Sequence, residues 1–368
     1  MDIAALRDQL SDIDRRILAL VGERQAVVRA IGDIKGRSDK ALRSYAQEKV
    51  VLERARQEAS RVGISGDLAA DLLRRLIHES LTLQEQRRVE IRGGGSGRRA
   101  LVIGGSGRMG AWMARFLLSQ NFAVEVADPV APEDDFPHLV RWQDSELDYD
   151  FIVVATTLRV SQEILDELAT RSPRGVVFDV GSLKAPLRAA LETLAESGVQ
   201  VTSVHPMFGP DTELLSGRHV ILVDLGSQEA NDKVRELFGS TMAEIVEMPL
   251  EDHDRLIAYV LGLSHALNVA FVTALAESGE AVPYLAQLSS TTFDRQLQVA
   301  AGVTHDNPHL YFEIQHLNAY GGEPLRSLQE ATARVERIVE AGDEEAFVRL
   351  MEQGRRYLAE RDQQQANL

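Results

Sequence analysis

The sequence predicts a multidomain protein: an all-α domain at the N-terminus, a doubly wound α/β domain in the middle and a second all-α domain at the C-terminus. Three observations carry this prediction. Over residues 1–90 apolar residues recur at alternating spacings of four and three, the period of packed helices. A short apolar run, Ala100-Leu101-Val102-Ile103, leads into a glycine-rich turn and then a helical pattern, with further strand-like runs behind it. From Leu256 to Ala276 the chain is almost continuously apolar. With the run Gly93-Gly94-Gly95-Ser96-Gly97, these features predict domains at 1–92, 99–250 and 251–368, joined first by a Gly-rich linker at 93–98.

The bulk numbers restrict the partners. A chain of 368 residues can bury a core in each of these domains. A formal charge of −16 argues against nucleic acid or an anionic membrane as partner, because their phosphates are repelled at long range. An anionic substrate must therefore be drawn in by local cations. Cysteine is absent, which excludes thiolate metal sites and a cysteine nucleophile and fits a reducing compartment. No metal site is expected. The acidic, periodic start of the chain does not read as a secretory signal, so a cytoplasmic protein is expected.

Leu6, Leu10, Ile13, Ile17, Leu20, Val27, Ile31 and Ile34 form the apolar seam of one long helix, interrupted at Arg24. A guanidinium in such a seam is costly unless something anionic meets it. Lys35 lies three turns further on and shares its face, whereas Arg7 is offset by about a quarter turn and points to a different site. A second helix is expected over 45–61 and a third over 67–89. Along the third, Leu73, Ile77, Ser80 and Gln84 keep the same spacing, so two polar side chains stand where apolar ones belong. Together with Arg24 and Lys35 they predict a polar pocket inside the helical bundle.

Beyond the linker, Gly105-Ser106-Gly107-Arg108-Met109-Gly110 follows a strand and opens a helix, the context a dinucleotide-binding turn requires. Gly105 is expected to make the tight turn, Gly107 to let the backbone approach a pyrophosphate, and Gly110 to let the helix pack on the strand. The second strand, 123–127, ends in Asp128, twenty-three positions after Gly105, where a ribose-binding acid belongs. A carboxylate there accepts from ribose hydroxyls and repels a 2′-phosphate, so NAD is favoured over NADP. Further strands are expected at 151–156, 176–180, 201–204, 219–223 and 243–247. The run Ser203-Val204-His205-Pro206-Met207-Phe208-Gly209-Pro210-Asp211 delivers a histidine to a strand end, on a loop stiffened by proline, which suits an acid or base near neutral pH. Ser182, on the loop that leaves the strand before, either orients His205 by a hydrogen bond or is an ordinary turn residue.

The run 256–276 is long enough to raise the question of a membrane span, but Ser264, His265 and Asn268 in its middle favour the buried centre of a helical domain or a dimer interface. His265 reads either as a satisfied core histidine or as a substrate contact.

These motifs carry a resemblance. Residues 1–90 resemble the all-helical chorismate mutase domain, and Arg7, Arg24, Lys35, Glu48, Ser80 and Gln84 fall on that family's active-site positions. The whole chain is similar to the fused chorismate mutase and prephenate dehydrogenase enzymes of tyrosine biosynthesis, the block His205 to Asp211 being the most specific motif. The resemblance implies a Rossmann-type NAD-binding domain, an all-α C-terminal dimerisation domain and a homodimer in which Arg7 reaches the partner's mutase site. It implies that Lys35 and Gln84 donate to the breaking ether bond of chorismate and that Arg24, Glu48 and Ser80 line the substrate. It further implies that His205 accepts the ring-hydroxyl proton of prephenate with Ser182 beside it, and that Lys184, His265 and Arg295 contact that substrate. Two positions depart from the mutase pattern: Gln47 stands where the family usually has arginine, and Ser44 where some members have aspartate. They leave open a second reading of the first domain, a regulatory or dimerisation module without activity, and the choice between prephenate and arogenate is open as well.

Overall fold

A computed structural model describes residues 2–38, 41–280, 285, 288 and 290–366. The chain divides into two compact units, Met1–Leu250 and Glu251–Leu368.

The first unit opens with three helices, α1 (Ile3–Gly36), α2 (Tyr45–Val62) and α3 (Gly66–Arg92). Ser44 caps α2 by accepting from the Gln47 amide, and Ser65 caps α3 by accepting from Asp67, so each serine satisfies a backbone donor that the helix leaves free. Gly63, at φ +72°, ends α2 in the left-handed conformation. Helix α1 packs on α3 through its C-terminal half, where Val28, Gly32 and Gly36 are buried. The predicted seam is uncovered within the chain along its whole length: Leu6, Leu10, Ile13, Ile17, Leu20, Val27, Ile31 and Ile34 are all exposed. The apolar seam is thus present, but α3 packs on the neighbouring row Val28, Gly32 and Gly36 instead of on it.

The linker does not behave as a loose tether. The Gly95 amide donates to the Gln120 carbonyl at 2.9 Å, and a Cβ on Gly95 would lie 2.3 Å from the Phe122 ring. A Cβ on Gly93 would lie 2.5 Å from the Gln120 carbonyl oxygen. These glycines permit close packing, a different use from the flexibility their composition suggests.

The sheet that follows has eight strands in the order β3-β2-β1-β4-β5-β6-β7-β8: β1 (Arg99–Ile103), β2 (Ala123–Ala127), β3 (His138–Leu139), β4 (Phe151–Val154), β5 (Val176–Asp179), β6 (Val201–Pro206), β7 (His219–Asp224) and β8 (Glu244–Pro249). Every neighbouring pair is parallel except β6 and β7. Helices α4 (Arg108–Ser119), α5 (Leu158–Arg171), α6 (Arg188–Glu196) and α7 (Gln228–Gly239) cover it, which is why β1, β4 and β5 are apolar along nearly their whole length. Strand order reverses between β1 and β4, and the crevice above their C-terminal ends is where sheets of this kind bind ligands.

The second unit is helical: Leu250–Ile257 at its entry, a π-helical stretch at Ala258–Leu263, then Ser264–Glu277, Thr291–Thr304, Pro308–His316, Gly322–Glu340 and Glu344–Ala366. The segment Leu250–Glu277 is long and apolar enough to cross a membrane, yet only 22% of its most apolar window is buried within the chain. The expected buried centre is therefore not what one chain makes of it: Leu256, Tyr259, Val260, Leu267 and Val269 remain exposed. The polar residues of this segment stitch neighbouring helices instead. Asn268 donates to the Ser264 carbonyl and accepts from Gln296, and Gln315 donates to the Gly262 carbonyl.

Candidate active sites

At the crevice, the left-handed residue of the glycine-rich turn is Gly104, at φ +84°, where a Cβ would lie 2.7 Å from the Ala155 carbonyl oxygen. The tight turn expected at Gly105 is thus made one residue earlier. Gly105 serves packing, since its Cβ would meet Val126 at 2.5 Å, and Gly110 is a forced glycine, with a Cβ position only 2.1 Å from the Gly104 carbonyl oxygen. Gly107 caps α4, so the helix N-terminus opens toward the crevice. Asp128 follows β2 and folds back on the turn: its carboxylate accepts from the Ser106 amide at 3.2 Å and the Val130 amide at 2.9 Å. Ser106 Oγ donates to the Val130 carbonyl, and Met109 packs against the core. Arg108 points the other way along the rim and pairs with Asp211 at 2.7 Å. This cradle fits a dinucleotide, because it offers backbone donors and a helix N-terminus where added side-chain carbons would collide.

His205 lies within β6, paired with Ile221 of β7, and is 3% exposed. β6 runs on to Pro206, past the strand expected at 201–204, and the loop Met207–Arg218 begins there. Under this strand is a buried ionic network. Lys184, fully buried, donates to Asp179 at 2.7 Å and to the Val204 carbonyl at 2.8 Å, and Asp179 also accepts from the Gly181 amide and Ser203. Asp179 and Ser203 are register partners, so the network locks β5 to β6 just below His205. Lys184 thus sits inside this network, where its two bonds steady the residues before His205. Ser182 is half-buried on the loop that leaves β5, beside the strand carrying His205.

In the helical bundle Arg24 donates to Ser80 Oγ and to the Leu76 carbonyl, and burial lowers its pKa. Lys35 donates to the Leu42 carbonyl at 2.8 Å and is likewise lowered by burial. Gln84 is buried against Gly32 of α1, which leaves it room, and among the described residues its amide oxygen has no partner. Glu48 is held by Arg43 through two bonds, at 2.8 and 3.1 Å, and this bond raises the Arg43 pKa. Arg43 escaped the reading of the sequence. Its signal was a cation one residue before the Ser44 cap and five before Glu48, with no periodicity to mark it. Arg7 is exposed on the uncovered half of α1, away from these groups.

In the second unit His265 stacks on Tyr311 with ring centroids 4.2 Å apart, and its Nδ1 is buried without a partner among the described residues. Burial lowers its pKa, with Asp306 opposing. His253 and Asp254 form a buried pair at 2.7 Å. Arg295 is exposed on the helix that opens at Thr291, as is its neighbour Asp294; Ser289, just upstream, lies outside the described residues.

Three family models match successive stretches of the chain. The family model for chorismate mutase type II matches residues 6–85, that for the nucleotide-binding domain of prephenate dehydrogenase matches 141–247, and that for its dimerization domain matches 249–353. The chain is 25% identical to a T-protein of Enterobacter agglomerans over 353 residues, 94% of this chain and 90% of that one. It is 30% identical to a 4-amino-4-deoxyprephenate dehydrogenase of Streptomyces pristinaespiralis over 281 residues, 73% of this chain and 94% of that one. In fold it is similar to the prephenate dehydrogenase of A. aeolicus, solved with hydroxyphenyl propionate and NAD+, at a TM-score of 0.58 and 19% identity over 71% of this chain and 96% of that one. The chain belongs to the prephenate dehydrogenase family, and it carries a chorismate mutase type II domain ahead of the dehydrogenase in the same polypeptide.

Proposed function

We infer that the protein is a bifunctional enzyme of tyrosine biosynthesis. It rearranges chorismate to prephenate and oxidatively decarboxylates prephenate, with NAD, to 4-hydroxyphenylpyruvate and carbon dioxide. The observation that carries this reading is the pairing, in one polypeptide, of a helical bundle in which Arg24 of α1 meets Ser80 of α3, one turn before buried Gln84, with a crevice where Asp128 faces the glycine-rich turn and a sheet holding buried His205.

The mutase step is pericyclic and needs neither nucleophile nor proton transfer. It needs a clamp. Arg24 pairs with a substrate carboxylate, and Arg7 of the partner subunit pairs with the other. Lys35 and the buried Gln84 amide donate to the ether oxygen as its bond breaks and negative charge grows there. Glu48, with Ser80, orders the pocket, and Arg43 adds positive charge beside it, at the end of the site where Gln47 supplies none.

In the dehydrogenase, NAD supplies the hydride acceptor; Gly105, Ser106, Gly107, Arg108, Met109 and Gly110 would hold its pyrophosphate and Asp128 its ribose. Asp128 also repels a 2′-phosphate. His205 accepts the proton of the ring hydroxyl, and the strand register and the Lys184–Asp179 network hold it still while it does so. Ser182 orients the imidazole, and His265 and Arg295 contact the substrate, as the family resemblance implies. Aromatisation of the ring drives the loss of carbon dioxide.

The bare seam of α1 and the exposed apolar face of Leu250–Glu277 support a homodimer, and the family name of the 249–353 match supports it too. A cytoplasmic location fits the cysteine-free sequence and these substrates.

One purified sample tests the reading. Chorismate should disappear without NAD, and NADH should form from prephenate with NAD. NADH formation alone would reduce the first domain to a scaffold. A second reading of the dehydrogenase substrate follows from the Streptomyces relative, whose name specifies a ring amine in place of the hydroxyl. Turnover of 4-amino-4-deoxyprephenate or of arogenate in preference to prephenate would establish it.

A further inference from the structure

Glu85 follows Gln84 on α3, about 100° further round the helix, and so looks out of the bundle when Gln84 looks in. On an isolated helix such a carboxylate would be solvated. Here it is 3% exposed. Its Oε2 accepts from the Leu215 amide at 2.7 Å, and its Oε1 accepts from the Met242 amide. Burial raises its pKa, opposed by these two amides and by Arg88. A carboxylate is kept in such a place only by donors aimed at it, and both donors belong to the sheet domain.

The two amides come from one end of the sheet. Leu215 lies in the loop Met207–Arg218 that joins His205's strand to β7, and Met242 lies in the turn before β8. The loop is anchored elsewhere as well. Asp211 pairs with Arg108 of the glycine-rich turn, the Trp112 indole donates to the Thr212 carbonyl at 2.9 Å, and Ser216 accepts from Arg43 at 2.9 Å. One half of the loop is thus fixed to the nucleotide-binding helix and the other to the mutase helices. Leu214 and Leu215 are buried between them.

We propose that Glu85, although it belongs to the mutase domain, is a positioning residue for the dehydrogenase: it fixes the loop that follows His205 and so sets how well prephenate binds. The proposal rests on the dehydrogenase reading above. Glu85 acts through Leu215 and touches no reacting atom. The same helix carries Ser80 and Gln84, which makes α3 the mechanical link between the two centres.

The test compares the full-length wild type with Glu85→Gln, which keeps shape but presents an amide donor to one of the two N–H groups, and with Glu79→Gln, an exposed change on the same helix. Glu85→Gln should raise KM for prephenate about five- to tenfold while kcat changes by less than about threefold, and the pH profile of kcat should keep the wild-type shape. Hydrogen exchange of residues 209–218 should quicken about tenfold or more. Glu79→Gln should match the wild type in both. A merely structural role would instead lower both turnovers with the folded fraction and leave KM unchanged, and that result overturns the proposal, as does unchanged exchange in the loop. Should Glu85→Gln not fold, Glu85→Asp, which keeps the charge but is too short to reach both amides, is read by the same two measurements. Failure of the dehydrogenase reading shows separately, as a wild type that forms no NADH from prephenate; the exchange measurement then decides the proposal's claim on the loop by itself.

Discussion

His205 is held by a sheet, whereas Arg24 and Lys35 are held by helices, and the two supports differ in how much of a site one chain can finish. His205 is fixed in register with β7, its strand is paired with β5 up to Ser203, and the polar groups beneath it, Asp179, Lys184 and Ser203, are fully buried and joined through Asp179. Arg24 and Lys35 are only half-buried, and the half of α1 that bears Arg7 lies bare. A parallel sheet closes its own hydrogen bonds and needs only covering helices from the same chain. A long amphipathic helix needs a partner along its whole seam, and among the described residues none lies on that of α1.

That contrast can be tested from the larger effects to the smaller. Replacing His205 by Asn should lower dehydrogenase kcat by about 10²- to 10⁴-fold and leave chorismate turnover within about twofold, read by NADH formation and chorismate absorbance. A parallel loss of mutase activity would mean that the two supports are not separate. Lys184→Met should leave the Asp179 carboxylate buried without its cation and cost about 3–5 kcal/mol in urea unfolding of the first unit, whereas a loss near zero would show that the sheet centre does not depend on its ionic floor. Arg24→Ala should lower mutase kcat/KM by about 10²- to 10³-fold, without the stability loss of Lys184→Met, because its site is half open. Asp128→Ala should weaken NAD about tenfold and narrow its preference over NADP, measured by titration of the bound cofactor.

The smallest effect concerns pH. Burial holds the His265 pKa below its ordinary value, so the unfolded chain binds the proton more readily than the folded one. The contribution is full above the unfolded pKa of about 6.5 and is lost as pH falls toward and through the lowered folded value. Unfolding midpoints should therefore decline gently on the acid side, and His265→Phe should remove that part of the decline. An equal decline in the variant would trace it to other groups.

Much of the sheet centre was legible in the sequence because its signals are local. A strand, a glycine turn, a helix and an acid at the end of the next strand are fixed by short-range geometry, and Asp128 does face the turn. Even there the left-handed residue was displaced by one, since Gly104 and Gly105 look alike until Ala155 and Val126 are packed against them. The helical seam was legible as a period, but a period does not say what covers it; α3 took the neighbouring row at Val28, Gly32 and Gly36. Least legible were Arg43 and Glu85. Each looks like an ordinary charge on a helical segment, and the partners that bury Glu85 are backbone amides 130 and 157 residues away, which carry no side-chain signal at all.

The packed glycines at 93 and 95 bear on how such a fusion can change over generations. A floppy tether accepts any cargo, and a gene so joined can exchange its first module freely. Here the joint is seated on Gln120 and Phe122, and the module ahead of it has a carboxylate lodged among the amides of the next. A replacement module would have to bring its own seat and its own acceptor for Leu215. Without the mutase helices, the Leu215 and Met242 amides of the sheet domain would lose the carboxylate that they hold.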